Sequence, residues 1–250
     1  MRGIVYAFAN QKGGVGKTTT AINLAACLAE AGERALVVDL DPQANATSGL
    51  GMRANGTSTY DLLDGAPLAE LAKPTRFANL FLIPSRPELA GAAVELSQRE
   101  DGERYLAQAL EHADGFDFVL LDCPPSLGPL TVNALAAADR VIVPVQTEYY
   151  ALEGLAQLVQ SINLVKARLN PRLEIAGVLL TMADARTRLS ADVEEEVRRH
   201  FGKLVFQAVV PRSVRVAEAP SHGLPVTHYD RRSRGAEAYW KVAMELVERR

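Results

Sequence analysis

Cysteine and long apolar runs are scarce in this 250-residue sequence. Its two cysteines, Cys27 and Cys123, are too few for a disulfide framework and show no metal-ligand spacing, which indicates a reducing cytoplasm. No apolar run reaches the ~18 residues that a membrane-spanning helix requires. The N-terminus enters strand-like residues 4–9 without a signal-peptide pattern. We therefore expect a cytoplasmic location and no membrane partner.

Net positive charge is also lacking, because the formal net charge is −3. This value alone argues against a nucleic-acid binder. The charge is unevenly distributed, however. Residues 181–250 carry 13 Lys and Arg against 10 Asp and Glu, whereas residues 1–180 carry 14 against 20. A site for a polyanion would therefore lie in the last third of the chain, although an ordinary solvated surface explains the balance equally well.

Strand-like and helix-like segments alternate along the whole chain. The predicted strands are 4–9, 35–38, 80–83, 116–121, 140–145, 173–180 and 204–210. The predicted helices are 17–31, 87–98, 103–113, 129–138, 151–169, 188–200 and 234–249. This order predicts one α/β domain over residues 1–250, with a mostly parallel sheet and helices on both faces. Residues 53–73 are less regular, and there we expect a mobile connection with one short helix around Tyr60–Leu63.

A glycine-rich loop follows the first predicted strand and runs directly into a helix. Its glycines allow the backbone N–H groups to curl around a phosphate, and the helix N-terminus adds further donors. Lys17 would reach the β- and γ-phosphates, and the Thr18 hydroxyl would ligate Mg²⁺. A glycine-rich turn without a ligand would not need this Lys-Thr pair. The predicted phosphate loop comprises Lys12, Gly13, Gly14, Val15, Gly16, Lys17, Thr18 and Thr19.

The loop departs from the usual G-x-x-x-x-G-K-[ST] pattern in one respect, because Gln11 stands where that pattern has glycine. A second lysine, Lys12, precedes the glycine pair. Lys12 comes too early to duplicate Lys17, so we expect it to neutralise phosphate charge held by another subunit. A plain exposed lysine is the alternative.

Three carboxylates follow two apolar strands. Asp39 and Asp41 end the second predicted strand, and period-two alternation places them on the same side of the chain, next to the phosphate loop. One carboxylate would organise the Mg²⁺ shell, and the other would orient the attacking water. Asp122 follows the apolar run 118–121, which is the position expected of a Mg²⁺-binding Walker B carboxylate. Turn-forming aspartates before Pro42 are the alternative for the first pair.

The nucleotide is predicted to be ATP. P-loop GTPases usually read guanine with an N-K-x-D tetrapeptide, and residues 181–184 read T-M-A-D instead. We expect the adenine to be held by later loops that include Met182, Pro211 and Arg212.

These motifs together resemble the deviant Walker A ATPases, and within them the chromosomal ParA/Soj partition proteins. The resemblance rests on the phosphate loop, D-L-D-P-Q at 39–43, D-C-P-P-S at 122–126, E-Y-Y-A-L-E-G at 148–154, P-R-S-V-R at 211–215 and E-A-P-S-H-G at 218–223. It covers essentially the whole chain.

The resemblance implies an ATPase cycle. ATP would be sandwiched in a homodimer, where Lys12 of each subunit reaches the phosphates held by the other. Asp41 would position the water, Asp39 and Asp122 would serve the Mg²⁺ site, and Glu148 and Glu153 would lie near the interface and the partner's nucleotide. The ATP-bound dimer would bind DNA without sequence preference on the nucleoid. A ParB/Spo0J-type protein would stimulate hydrolysis and so drive chromosome or plasmid segregation.

Basic residues near the end of the chain fit the DNA-binding role. Arg186, Arg188 and Arg215 match the family's DNA-contacting region best. Arg231, Arg232 and Arg234 fit a soluble surface equally well.

Two alternatives share the phosphate loop. A MinD-like positioning ATPase would need a lipid-binding C-terminal helix, whereas the apolar residues at 239, 242, 243, 246 and 247 suit packing on the domain better. An ATP-dependent biosynthetic ligase would turn over a small carboxylic acid and ignore DNA.

Overall fold

The computed structural model describes residues 3–111, 113–149 and 151–249. Tyr150, within the motif at 148–154, and residue 112, within the predicted helix 103–113, lie outside the described residues. The structure contains a seven-stranded sheet in the order β3-β4-β2-β5-β1-β6-β7, parallel except where β3 pairs with β4. The strands are β1 Ile4–Phe8, β2 Ala35–Asp39, β3 Lys73–Pro74, β4 Leu80–Ile83, β5 Phe118–Asp122, β6 Arg140–Gln146 and β7 Glu174–Thr181.

Helices cover both faces of this sheet, so the predicted fold class is confirmed. Alternate residues of β1 belong to two separate hydrophobic clusters, with Val5 and Ala7 in one and Tyr6 and Phe8 in the other. Such continuous apolar strands are typical of a parallel sheet that is buried on both faces. The helices are α1 Lys17–Glu30, α2 Asn45–Gly49, α3 Thr59–Leu63, α4 Leu68–Leu71, α5 Leu89–Gln98, α6 Tyr105–Leu110, α7 Pro129–Ala137, α8 Ala151–Arg168, α9 Arg188–Phe201, α10 Val214–Glu218, α11 Val226–Tyr229 and α12 Arg234–Glu248.

The strand register brings the carboxylates to one edge of the sheet. Asp122 at the end of β5 lies opposite Asp39 of β2 on one side and opposite Phe8 of β1 on the other. The phosphate loop starts immediately after β1. Three strands therefore deliver the loop and both strand-end carboxylates to one place, where ligands usually bind in open parallel sheets.

The strand predicted at 204–210 is wrong. Residues 202–204 form a short 3₁₀ turn, and the segment meets β7 only at separated points, where Phe206 N donates to Val178 O and Val210 N to Leu180 O. Between these points the Gln207 and Ala208 N–H groups donate to the Glu245 carboxylate of α12. Because Glu245 takes these donors, no continuous ladder forms with β7.

Residues 53–73 contain more structure than the sequence predicted. The short helix expected around Tyr60 is α3, and a reciprocal capping box between Ser58 and Asp61 begins it. Helix α4 and the first residue of β3 also fall in this segment and were not predicted.

Candidate functional site

The phosphate loop has the left-handed backbone that its glycines permit. Gly14 and Gly16 have φ values of 75° and 89°, a region in which any side chain would be strained. Gly16 directly precedes α1, whose first N–H groups have no acceptor within the helix. The Val15 carbonyl accepts a hydrogen bond from the Thr181 hydroxyl at 2.8 Å, which ties the loop to the end of β7. The result is a fixed cluster of N–H donors suited to a phosphate.

Lys17 is a buried cation at the start of α1, with only 6% of the residue exposed. Its Nζ donates to the Lys12 carbonyl at 3.1 Å. Burial lowers the pKa of Lys17, and the nearby Asp122 carboxylate opposes that shift. The ammonium is therefore held inside the loop, where a bound phosphate would restore the charge balance that burial disturbs.

Lys12 points the other way. Its Nζ lies 2.6 Å from Glu148 Oε2, and both side chains are about half exposed. Gln146 Nε2 holds the other Glu148 oxygen at 2.6 Å. Lys12 therefore pairs with a carboxylate of its own chain in this structure and does not line the cavity described below.

Asp122 is fully buried, and neither of its carboxylate oxygens forms a hydrogen bond of good geometry with a described residue, although the Thr18 hydroxyl lies close enough to stabilise its charged form. Burial raises its pKa well above the usual value, the Asp39 carboxylate adds to the rise, and the Thr18 hydroxyl and Lys17 oppose it. A buried carboxylate without a partner is costly and calls for a cation.

The donor set fits Mg²⁺. The hard oxygens of Asp122 and Thr18 are the kind of ligand that this ion takes together with nucleotide phosphates and water. Within the described parts of the chain, no group of three or more His, Cys, Asp or Glu is placed to hold a metal.

Asp39 has a different environment from Asp122. Its Oδ2 accepts from the Thr47 hydroxyl at 2.6 Å and from Thr47 N at 2.8 Å, and its Oδ1 accepts from Asp41 N at 3.1 Å. Burial raises the pKa of Asp39 to about 6, and the bonds from Thr47 oppose the rise. Both oxygens are thus engaged by this chain, and the side chain is directed at α2.

Asp41 lines a cavity of about 650 Å³ beside the phosphate loop, and its Oδ1 accepts from Gln43 N at 3.0 Å. The cavity is lined by these residues that the sequence predicted: Gly13, Gly14, Gly16, Lys17, Thr18, Thr19, Asp41, Met182, Pro211 and Arg212. Lys12, Val15, Asp39, Asp122, Glu148 and Glu153 are not among the lining residues.

Two loops after β7 and before α10 contribute Met182, Pro211 and Arg212 to the lining of the cavity. Ala183 N donates to Val210 O at 3.1 Å and Arg212 N donates to Ala183 O at 2.9 Å, so the loops after β7 and before α10 lie side by side. Met182 between them adopts φ 53°, which is unusual for a residue other than glycine. Strain of this kind is frequent where a backbone is shaped around a ligand.

Comparison with known proteins agrees with this geometry. Residues 3–175 match the model of an AAA domain. The chain is 55% identical to the chromosome-partitioning ATPase Soj of Thermus thermophilus, over 97% of this chain and 95% of that protein. It is 53% identical to the sporulation initiation inhibitor protein Soj of Bacillus subtilis, over 98% of both chains.

The chain belongs to the Soj/ParA family of chromosome-partitioning ATPases.

A similar solved structure carries a different name. Cobyrinic acid a,c-diamide synthase from Mycobacterium smegmatis, solved with an ATP analogue and magnesium, has 38% sequence identity and a TM-score of 0.86. The match covers 98% of this chain and 95% of that one. The identity to the Soj proteins is higher, so this likeness does not displace the family assignment.

The three arginines that the sequence predicts to contact DNA lie on segments beside the cavity. Arg186 and Arg188 follow β7, and Arg215 lies in α10, three residues after the cavity-lining Arg212. Each forms an ion pair within the chain, with Asp184, Asp192, and both Glu218 and Asp230, respectively. Arg186 thus lies in the loop after β7, Arg188 at the start of α9 and Arg215 in α10, and carboxylates of the chain partly balance their charges.

Several cavity residues of this Soj/ParA member were not predicted from the sequence. They are Ile22, Asn23, Ser48, Val216, Ala217, Pro220, Leu224 and Tyr239, among others. Tyr239 arrives from α12, and its hydroxyl lies 3.4 Å from the Thr20 hydroxyl of α1. The two residues are 219 positions apart, and no local signal in the sequence joins them.

Proposed function

We propose that this chain binds MgATP in the phosphate loop and uses slow hydrolysis to switch a homodimer on and off DNA. The observation that carries the proposal is the unpartnered, fully buried carboxylate of Asp122 beside Thr18 and Lys17. Mg²⁺ that accompanies a bound triphosphate would supply the positive charge that the Asp122 carboxylate lacks. Identity above 50% to Soj proteins supports the partition role.

In this proposal the predicted site residues have separate tasks. Lys17 and the loop N–H groups neutralise the phosphates, and Thr18 and Asp122 hold Mg²⁺, which stabilises developing phosphate charge. Asp41 orients the water, while Met182, Pro211 and Arg212 surround the adenine. The Mg²⁺ role of Asp39 stays a prediction.

The dimer adds groups from outside the cavity. Lys12 leaves Glu148 and reaches the phosphates of the partner, with Glu148 and Glu153 beside the interface. Arg186, Arg188 and Arg215 then contact DNA phosphates without reading bases. A ParB/Spo0J-type protein accelerates turnover, and residues 1–250 act as one domain on the nucleoid in the cytoplasm.

A membrane-cycling role finds less support. Tyr239, Val242, Ala243 and Leu246 of α12 are buried against the sheet, so most of its apolar stripe serves the core, although Val247 is exposed. None of the helices that the structure describes has the length and apolar character to cross a bilayer.

The cobyrinic acid a,c-diamide synthase likeness favours a second candidate, ATP-dependent amide formation on a small carboxylic acid. One assay separates the two. Phosphate release is measured with MgATP alone, with plasmid DNA, with a ParB-type protein, and with both. We expect slow basal phosphate release that rises about tenfold or more only with both, because a cation supplied in trans stabilises the charge of the transition state.

Sedimentation of the same samples with ADP and then ATP checks the dimer. We expect monomer with ADP and a DNA-bound dimer with ATP. Fast turnover on a small carboxylic acid, with no response to DNA, would defeat the partition proposal and support the second candidate.

A further inference from the structure

The segment between β2 and α2 carries the proposed hydrolytic residue on a tight turn. Ala44 N donates to Asp41 O at 2.9 Å, and Asp41 Oδ1 accepts from Gln43 N. Ala44 has φ 54°, so a non-glycine residue is held in the left-handed region directly before α2. Such a turn persists only when its surroundings fix both of its ends.

Both ends of this turn are held by one carboxylate, that of Asp39. Asp39 Oδ1 accepts from the N–H of Asp41, where the turn begins, and Asp39 Oδ2 accepts from Thr47 N and Oγ1, where the turn has entered α2. Asp39 itself ends β2, one of the central strands. The turn is thereby clamped onto the rigid sheet.

Thr47 also links this clamp to a second strand. It is 2% exposed, and its hydroxyl donates to Asp39 at 2.6 Å while accepting from Ser85 N at 2.9 Å. Ser85 lies in the loop after β4, the strand adjacent to β2. One hydroxyl therefore fixes the turn against two neighbouring strands, and none of its contacts involves the cavity.

We propose that Thr47 is a positioning residue for hydrolysis, which sets the location of Asp41 through Asp39. The inference rests on the proposed function. Asp39 then acts as an internal anchor and not as a Mg²⁺ ligand, which agrees with the engagement of both its oxygens. Of the two carboxylates at these strand ends, only Asp122 would then ligate Mg²⁺.

The test separates ATP binding from turnover. Thr47→Val keeps the shape of the side chain but loses the hydroxyl, so the Asp41 turn loosens while the phosphate loop is untouched. We expect MgATP affinity by calorimetry to stay within about threefold, and turnover with DNA and a ParB-type protein to fall on the order of tenfold or more, as displacement of a reacting group does.

Thr47→Ser is the matched control, because it restores the hydroxyl and loses only the methyl group. We expect its turnover to lie within about threefold of the unaltered protein. Should Thr47→Val fail to fold, Thr47→Ala, which introduces no bulk, is used in its place. Turnover of the unaltered rate in Thr47→Val, or equal losses in the Val and Ser variants, would overturn the inference.

A second comparison addresses the anchor itself. Asp39→Asn is expected to leave the Mg²⁺ concentration for half-maximal MgATP binding within about threefold, whereas Asp122→Asn raises it on the order of tenfold, since it removes a charged ligand. Equal increases would overturn the anchor role. Absence of MgATP binding by the unaltered protein would instead defeat the proposed function, and the inference with it.

Discussion

The cavity around the phosphate loop and the arginine-bearing loops beside it use charge in opposite ways. Lys17 at the start of α1 and Asp122 at the end of β5 are almost completely buried. Arg186 and Arg188 have 86% and 93% of their side chains exposed, a few residues beyond the end of β7. The phosphate-loop region thus has a few charged groups that are buried from water, whereas the arginine-bearing region has several that are exposed to it.

This difference sets how much one residue can matter. A charge in a low-dielectric site interacts strongly with its partner, whereas exposed ion pairs are screened by salt and contribute about 0–1 kcal/mol each. The arginines also pair with carboxylates of the chain, so their field is partly cancelled. Single substitutions should abolish function in the cavity and only weaken it on the arginine loops.

The largest effect is expected from Lys17→Ala. Removal of the buried ammonium leaves the β- and γ-phosphates without their main cation, so MgATP affinity should fall about 100-fold or more. Calorimetry with MgATP measures this directly. Lys241→Ala, which removes an exposed lysine of α12, is the control and should bind normally. Unchanged affinity in Lys17→Ala would place the nucleotide elsewhere.

Asp41→Ala should spare binding and stop the cycle. Loss of the group that orients the water is expected to lower turnover about 1,000-fold, within the usual range for such groups. The ATP-bound dimer should then persist on DNA, which gel filtration and DNA pull-down with MgATP would show. A variant that stays monomeric with ATP would contradict the role given to Asp41.

Lys12→Ala should have a smaller effect, because Lys12 is exposed and already has a partner in Glu148. We expect MgATP affinity of the monomer to change little and stimulated turnover to fall about 100-fold, as when one transition-state donor is removed. Mixed dimers provide the sharper measurement. If Lys12 acts across the interface, a Lys12→Ala subunit mixed with an Asp41→Ala subunit should retain one competent site, and complete inactivity of that mixture would argue against action in trans.

Much of the cavity could be predicted from the sequence because its signals are local. The phosphate loop, the strand-end aspartates and the apolar strands each occupy a few consecutive residues, and a parallel sheet necessarily brings strand ends together. The seven-stranded sheet followed from the same reasoning, apart from the segment at 204–210 and the short β3.

Contacts between distant residues could not be predicted in this way. Glu245 diverts the N–H groups of 207–208 from β7, and Glu148 pairs with Lys12 from 136 residues away. The spacing of Asp39 and Asp41 predicted that both side chains lie on one side of the chain. It did not show that the Asp39 carboxylate accepts a hydrogen bond from the Thr47 hydroxyl. In each case the local structure depends on a side-chain contact between residues far apart in the sequence, and a single sequence does not show which distant residues meet.

The smallest effect is expected from Arg188→Ala. Arg188 faces solvent at the start of α9, and its Nε lies 3.7 Å from Asp192, so little protein structure depends on it. In the ATP-bound dimer the substitution removes two cations from the DNA surface. Affinity for plasmid DNA should fall by less than about tenfold, and the slope of log K against log salt should decrease by roughly 2, because each phosphate contact contributes about 0.9.

Arg199→Ala gives a matched control, because Arg199 lies near the other end of α9, is also exposed and also pairs with a carboxylate, that of Glu196. Both variants change the net charge equally, so a difference between them reports position and not total charge. A salt slope that decreases only for Arg188→Ala locates the DNA on the loops beside the cavity. Equal decreases of the salt slope in the two variants would mean that DNA binding depends on the total charge of the dimer. Exposed arginines would then still act weakly and collectively, but no defined DNA-binding surface would exist beside the cavity.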